Sequence, residues 1–204
     1  SYGFDVGLLA ALHAGASIYL EDEVAASRII KLVRDQQITL LPGSPTLFEE
    51  MVKLPAVRPL THKPVRFISA GGSLTGSTME TFRKKYGVRP MACFHTPETG
   101  TVSIDLDGQH GETVGKVLDG VEVRINSAKT GKKVAAGRKG LFWVKSKAVS
   151  PLGLLGHPPK AVEALVGGKD KEGWYRTGNL ASLDRAKRLK LQGREDDVVV
   201  LEGK

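Results

Sequence analysis

VRFISAGGSLTG, residues 65–76, sets the reading of the first half of this chain. VRFIS (65–69) is a β-branched and aromatic strand, and the Gly71-Gly72 pair breaks it in a turn. A helix is expected next, from about Thr78 to Tyr86, closed by Gly87. The same alternation surrounds this unit. Val6–Leu12 reads as a helix stopping at Gly15, SIYL (17–20) as a strand, and Val24–Gln36 as a helix with Ile29, Leu32, Val33 and Gln36 on one face. ITLL (38–41) is another strand, followed by Gly43-Ser44-Pro45, where Ser44 can cap and Pro45 can open a helix. VRPMACF (88–94) is the last strand of the series. This rhythm predicts an open, mostly parallel α/β subdomain over residues 1–105.

Beyond about residue 105 the pattern changes. Short β-like runs (VEVRI, GLFWV, LASLD, LKLQ, VVVL) alternate with turn signals at Asp107-Gly108, Asp119-Gly120, Lys129-Thr130-Gly131 and Gly167-Gly168. A small β-barrel subdomain is expected over 106–204, interrupted by one helix at Pro159–Leu165 and a Gly/Pro-rich loop at 150–158.

Composition narrows the class of function. Of 204 residues, 41% are hydrophobic and 25% charged, as in a soluble globular protein. No run approaches the roughly 18 apolar residues of a membrane helix. The opening SYGFDVGLLAALHAG lacks a basic n-region and carries Asp5, so it does not read as a signal peptide, and the absence of an initiator Met suggests a segment of a longer chain. Cys93, the single cysteine, ends an apolar run and reads as a buried structural thiol, which fits a reducing, cytoplasmic setting. The net charge of +8 divides into +1 over residues 1–105 and +7 over 106–204. With aromatics at 6% and no recognition module, a phosphorylated small ligand fits this basic half better than nucleic acid does.

Four stretches can carry chemistry. Ligands of open parallel sheets bind beyond the carboxyl ends of the strands, where both Ser69-Ala70-Gly71-Gly72-Ser73 and FHTPETG (94–100) fall. In the second, His95 invites a metal or general-base role, but no second His or Cys stands at metal-ligand spacing nearby. Glu98 can hold Mg²⁺ against phosphates, or be a solvated residue in a plain turn. GWYRTGNL (173–180) and GREDDVVVLEGK (193–204) read singly as a hairpin corner and a charged strand entry.

In order, these stretches resemble the adenylate-forming superfamily: acyl-CoA synthetases, luciferases and the adenylation domains of peptide synthetases. SAGGSL is similar to its adenine loop, FHTPETG to its Tyr-Gly-x-Thr-Glu loop, GWYRTGNL to its Tyr-Arg-Thr-Gly-Asp-Leu segment, and GREDDVVVLEGK to its Gly-Arg hinge. YGFDVGLLAALHAGA and VGKVLDGVEVRI (114–125) also fit, so the resemblance runs nearly end to end. It implies an ATP-dependent carboxylic (fatty) acid–CoA ligase, with ATP, Mg²⁺ and coenzyme A as cofactors and a small carboxylic acid as substrate. A peptide-synthetase adenylation domain is the competing member, with Asp5 as its amino-group anchor. A degenerate, non-catalytic nucleotide-binding homologue is the reading from outside enzymology.

By the same resemblance, Gly71, Gly72 and Ser73 line the adenine and Phe94 flanks nucleotide and acyl groups. Glu98 holds Mg²⁺, Arg194 bonds the ribose, and Asp196 is the hinge. Three positions depart from the pattern. His95 replaces a glycine in a ligand-binding loop. Pro97 replaces a threonine, leaving Thr96 to offer a hydroxyl to phosphate beside the catalytic Glu98. Asn179 replaces the aspartate that takes both ribose hydroxyls. The resemblance also implies a phosphate loop before Ser1 and a C-terminal domain carrying the adenylation lysine beyond Asp196. The chain is therefore expected to be the middle of such an enzyme and inactive alone.

Overall fold

The computed structural model describes residues 2–55, 60, 65–109, 112–149 and 172–195. The expected helix at Pro159–Leu165, the 150–158 loop, the Gly167-Gly168 turn, the VVVL strand and the hinge Asp196 lie outside the described residues.

The chain opens with a π-helix, Gly3–Leu9, that continues as α1, Ala10–His13, and stops at Gly15 in the left-handed region (φ 65°). SIYL does not pair as a strand: residues 16–20 carry no sheet hydrogen bonds, and Leu20 is 84% exposed. A strand is defined by its backbone partner, and no described segment pairs with this one, although the Tyr19 hydroxyl donates to Gln36 Oε1 at 2.8 Å. Helix α2 (Ala26–Asp35) buries Ala26, Ile29, Ile30 and Val33, while Gln36, placed by periodicity on the same face, stays exposed. Strand β1 (Leu40–Gly43) leads into α3 (Pro45–Lys53), where Ser44 Oγ accepts from Leu47 N at 3.3 Å and Pro45 opens the helix. Strand β2 (Arg66–Ser69) leads to α4 (Gly76–Tyr86), capped by Thr75 and closed by Gly87 at φ 79°.

Strands β1, β2 and β3 (Met91–Thr96) pair in parallel; β3 then turns back into antiparallel β4 (Gly100–Ile104) and β5 (Lys116–Val117), completing a five-stranded sheet. Helices α2–α4 cover one face through Phe48, Phe67, Phe82 and Tyr86, whose rings meet edge-on or tilted at 4.5–6.1 Å between centroids. Ile68, Ala70 and Cys93 form a separate cluster against Tyr2 and Val6 of the N-terminal segment. Burial pushes the Cys93 thiol up to about 12, so it stays a neutral thiol.

Strands β6 (Glu122–Asn126), β7 (Gly140–Lys145), β8 (Tyr175–Leu183) and β9 (Leu189–Arg194) form an antiparallel sheet. This sheet is laced to the first one. Val114 N donates to Leu189 O at 2.8 Å, Leu189 N to Gly115 O at 2.9 Å, and Val117 N to Lys187 O at 3.1 Å. A Cβ at Gly115 would lie 1.9–2.1 Å from backbone atoms of Ile104 and Asp105, so only glycine permits this crossing. The enclosed core draws on both sheets: Phe94 and Val102 from β3 and β4 pack with Ile125, Phe142, Val144, Tyr175 and Leu189.

Candidate functional site

The first two stretches lie at the carboxyl ends of two neighbouring parallel strands, β2 and β3. Gly71 has φ 87°, a conformation other residues adopt only with strain, and a Cβ on Gly72 would stand 3.3 Å from Pro45 Cγ. The loops after β1 and β2 therefore lie against one another. Gly71, Gly72 and Ser73 are all exposed. Just before them Ser69 is 2% exposed, and among the described residues its Oγ finds no hydrogen-bond partner. A buried hydroxyl without a partner is costly unless something else satisfies it. In sequence, Ser69 opens the Ser69–Ser73 stretch but its hydroxyl carries no assignment.

FHTPETG is the tip of the β3–β4 hairpin. Thr99 N donates to Thr96 O at 3.2 Å, and the two threonine hydroxyls lie 3.0 Å apart. Thr99 is fully buried and donates onward to Gly100 O, which braces the turn from inside. Pro97 is exposed at the tip and Glu98 half-buried beside it. Phe94 faces the shared core 5.4 Å from the Phe142 ring. His95 is 8% exposed, and its Nε2 lies 2.7 Å from Asp5 Oδ2 on the N-terminal π-helix.

GWYRTGNL is no hairpin corner: Tyr175 to Leu180 run inside β8. The strand is irregular there, with a register shift between Asn179 and Ala181 and Gly178 at φ 73°. Asn179 stands directly opposite Arg194 of β9, and Glu195 N donates to Gly178 O at 2.8 Å. Asn179 gives an amide N–H to Thr177 O at 3.3 Å, and Thr177 Oγ1 bonds Phe142 O at 3.0 Å. Arg176 pairs with Glu195.

Tyr175 links this strand pair to the hairpin. It is 7% exposed, and its hydroxyl is pushed up to about 12, first by burial, then by the negative charge of Glu98, with Arg194 acting in the opposite sense. Glu98 and Arg194 thus act on one phenol from two separate segments. The motif containing Tyr175 was visible in sequence, but the tyrosine itself carried no assignment. Thr96 opens the turn that carries Glu98, Asn179 lies opposite Arg194, and Gly71–Ser73 follow β2, the strand neighbouring β3. A cleft of about 390 Å³ lined by Asp105, Asp107, Lys116 and Arg188 contains none of them.

The metal capacity of this site is limited. Among the described residues no group of three or more His, Cys, Asp or Glu could hold an ion. Glu98 can supply one carboxylate ligand, which suits a Mg²⁺ whose remaining positions are filled by phosphate oxygens and water.

The profile of the AMP-binding enzyme family matches residues 1–152. The chain belongs to that family. Acyl-CoA ligase SID4 of Ajellomyces capsulatus is 26% identical over 99% of this chain and 36% of its own length. Medium-chain acyl-CoA ligase ACSF2, mitochondrial, of Bos taurus is 26% identical over 97% of this chain and 32% of its own. The chain thus spans about a third of the length of the curated relatives it matches. Among solved structures, ATP-bound MatB from Rhodopseudomonas palustris superposes with a TM-score of 0.82 at 24% identity, covering 98% of this chain and 39% of that one. A benzoate CoA ligase from Burkholderia xenovorans LB400 gives 0.83 at 22%, covering 98% and 40%. These neighbours share the two-sheet α/β and antiparallel architecture of this AMP-binding chain.

Proposed function

We propose that these residues form the nucleotide-holding part of an ATP-dependent carboxylic acid–CoA ligase, comprising an α/β subdomain (1–105) and a β-barrel subdomain (106–204). The observation that carries this reading is that Glu98 of the hairpin and Arg194 of β9 both act on Tyr175, with Asn179 opposite Arg194 and Gly71–Ser73 following β2, the strand beside β3. In the reaction, a carboxylate oxygen attacks the α-phosphorus of ATP and pyrophosphate leaves. A thiol sulfur, that of coenzyme A, then attacks the acyl carbonyl and AMP leaves. Gly71 and Gly72 offer a flat backbone surface to adenine, and Ser69 Oγ a hydrogen bond. Arg194 and Asn179 hold the ribose, and Thr96 offers a hydroxyl to phosphate. Glu98 would hold Mg²⁺, which when bound neutralises phosphate charge. The relatives' names support the thioester product and an acyl substrate, medium-chain in one case.

Residues 1–204 alone are proposed not to catalyse adenylation, since they span only about a third of the length of the relatives. The rest of such an enzyme, a lysine-bearing C-terminal domain included, would be the chain's partner. Among the described residues no helix is long and apolar enough to cross a membrane. The buried lone cysteine suits a reducing compartment, cytoplasmic or, as in the bovine relative's name, mitochondrial.

Acid-dependent ATP–pyrophosphate exchange with the full-length protein and a broad acid panel tests this reading. Exchange with at least one acid is expected; none with any acid sinks it. The weaker reading, a nucleotide binder without catalysis, draws on Asn179, whose amide lacks the carboxylate charge and already serves Thr177 O. The peptide-synthetase reading loses ground because Asp5, its candidate ammonium anchor, is engaged by His95.

A further inference from the structure

His95 and Asp5 are 90 residues apart in sequence and 2.7 Å apart in space. The contact is built on both sides. Strand β4 carries an extra residue, Val102, between the partners of Phe94 and His95, so the register shifts at this pair. Bulges re-aim the side chains beside them. The His95 side chain is 2% exposed, while Asp5 is 36% exposed. Tyr2 packs its ring against the imidazole edge-on at 5.5 Å, and its hydroxyl donates to Ile68 O at 3.2 Å.

Asp5 itself stands on a π-helix, a wide and poorly propagating coil that seldom runs to seven residues without a local reason. None of its residues is buried, and Phe4 and Leu9 are about half exposed. Its attachments to the sheet beneath include Val6 in the small Ile68 cluster, Gly7 against Pro42 of β1, Tyr2 at its start, and the Asp5 carboxylate on His95. His95 is the residue immediately before Thr96, where the hairpin tip begins. A charge-assisted bond here ties the helix directly to the root of the turn that presents Glu98.

We propose that Asp5 is a positioning residue: acting through His95, it fixes the Thr96–Gly100 turn and so the placement of Glu98 for nucleotide. The kinetic half of this inference rests on the ligase reading; the structural half does not. A bond that only held the fold together would change the amount of active protein and leave the KM for ATP alone. A bond that aims the turn changes KM.

The test compares full-length wild type with Asp5→Ala, Asp5→Asn and His95→Asn by amide hydrogen exchange over residues 94–101 and by exchange kinetics. Asp5→Ala is expected to speed amide exchange in this peptide and raise the KM for ATP about five- to tenfold, with kcat within about twofold. Asp5→Asn keeps an acceptor for the imidazole N–H and is expected to restore most of both, whereas His95→Asn should behave as Asp5→Ala. Unchanged amide exchange in Asp5→Ala overturns the proposal, as does an equal loss in Asp5→Asn. If wild type shows no pyrophosphate exchange at all, the ligase reading fails, and the amide exchange result alone decides this one.

Discussion

The two halves of the site are held by different means. At the ends of the parallel strands β1 and β2, backbone constraints do the holding: Gly71 at φ 87° and Gly72 against Pro45. On the antiparallel sheet, side chains do it: the Asn179 amide on Thr177 O, Arg176 on Glu195, and Tyr175 under the influence of Glu98 and Arg194. Backbone conformations tolerate little substitution, whereas polar pairs weaken in steps. The parallel half should therefore fail abruptly when altered, and the antiparallel half should be tunable.

The largest effect is expected at the junction of the halves. Glu98→Gln should lower the rate of acid-dependent exchange by about 10²–10³, the usual loss when a group stabilising developing charge is removed. Raising Mg²⁺ should recover part of it. A drop below about threefold would remove Glu98 from the phosphate site.

Gly115→Ala should be the most damaging change to stability, because its Cβ would collide with the Ile104–Asp105 backbone where the two sheets are laced. A loss of about 3 kcal/mol is expected in denaturant unfolding. Gly71→Ala should cost about 1–2 kcal/mol, since no atom lies within 4 Å of the added Cβ and the strain is conformational alone. Equal losses would break the distinction between a close crossing and a strained turn.

Asn179→Asp should act in the opposite direction. A restored charged hydrogen bond is worth roughly 1.5–3 kcal/mol, or about ten- to a hundredfold tighter nucleotide binding. That gain would show the antiparallel half to be adjustable.

The smallest effects concern titration. Burial raises the ionisation of Cys93, Tyr86 and Tyr175 to about 12. The folded chain then holds protons that the unfolded chain has released. Stability should be retained below about pH 9 and fall as pH rises toward 12. Within that window, ultraviolet titration of tyrosine should find the Tyr175 transition lower in Glu98→Gln and higher in Arg194→Gln. Movement in neither variant would separate the hairpin from the strand pair.

The sequence made much of this legible where local chemistry decides. Ser44-Pro45 opened a helix and Gly87 closed one, whereas antiparallel pairing already begins with β4 at Gly100, ahead of the change of pattern near residue 105. The resemblance placed the site stretches by motif alone. What escaped depends on partners distant in sequence. SIYL has strand propensity but no strand paired with it among the described residues. The YRTGN segment looked like a corner because Gly178 signals a turn, yet it lies in a strand bent at a register shift. His95 looked like an anomaly in a ligand loop, and only the fold brings Asp5 to it across 90 residues. The Arg124 guanidinium between the Trp143 and Trp174 rings, at 4.9 and 4.4 Å, was likewise invisible until β6, β7 and the start of β8 were side by side.

The most direct test of one nucleotide site built from both halves is equilibrium titration of Mg-ATP into wild type, Glu98→Gln, Arg194→Ala and Asn179→Asp. Saturable binding is predicted in wild type, weakened by about tenfold or more in the first two variants and tightened in the third. The same affinity in all four proteins, or no saturable binding in any, would contradict it.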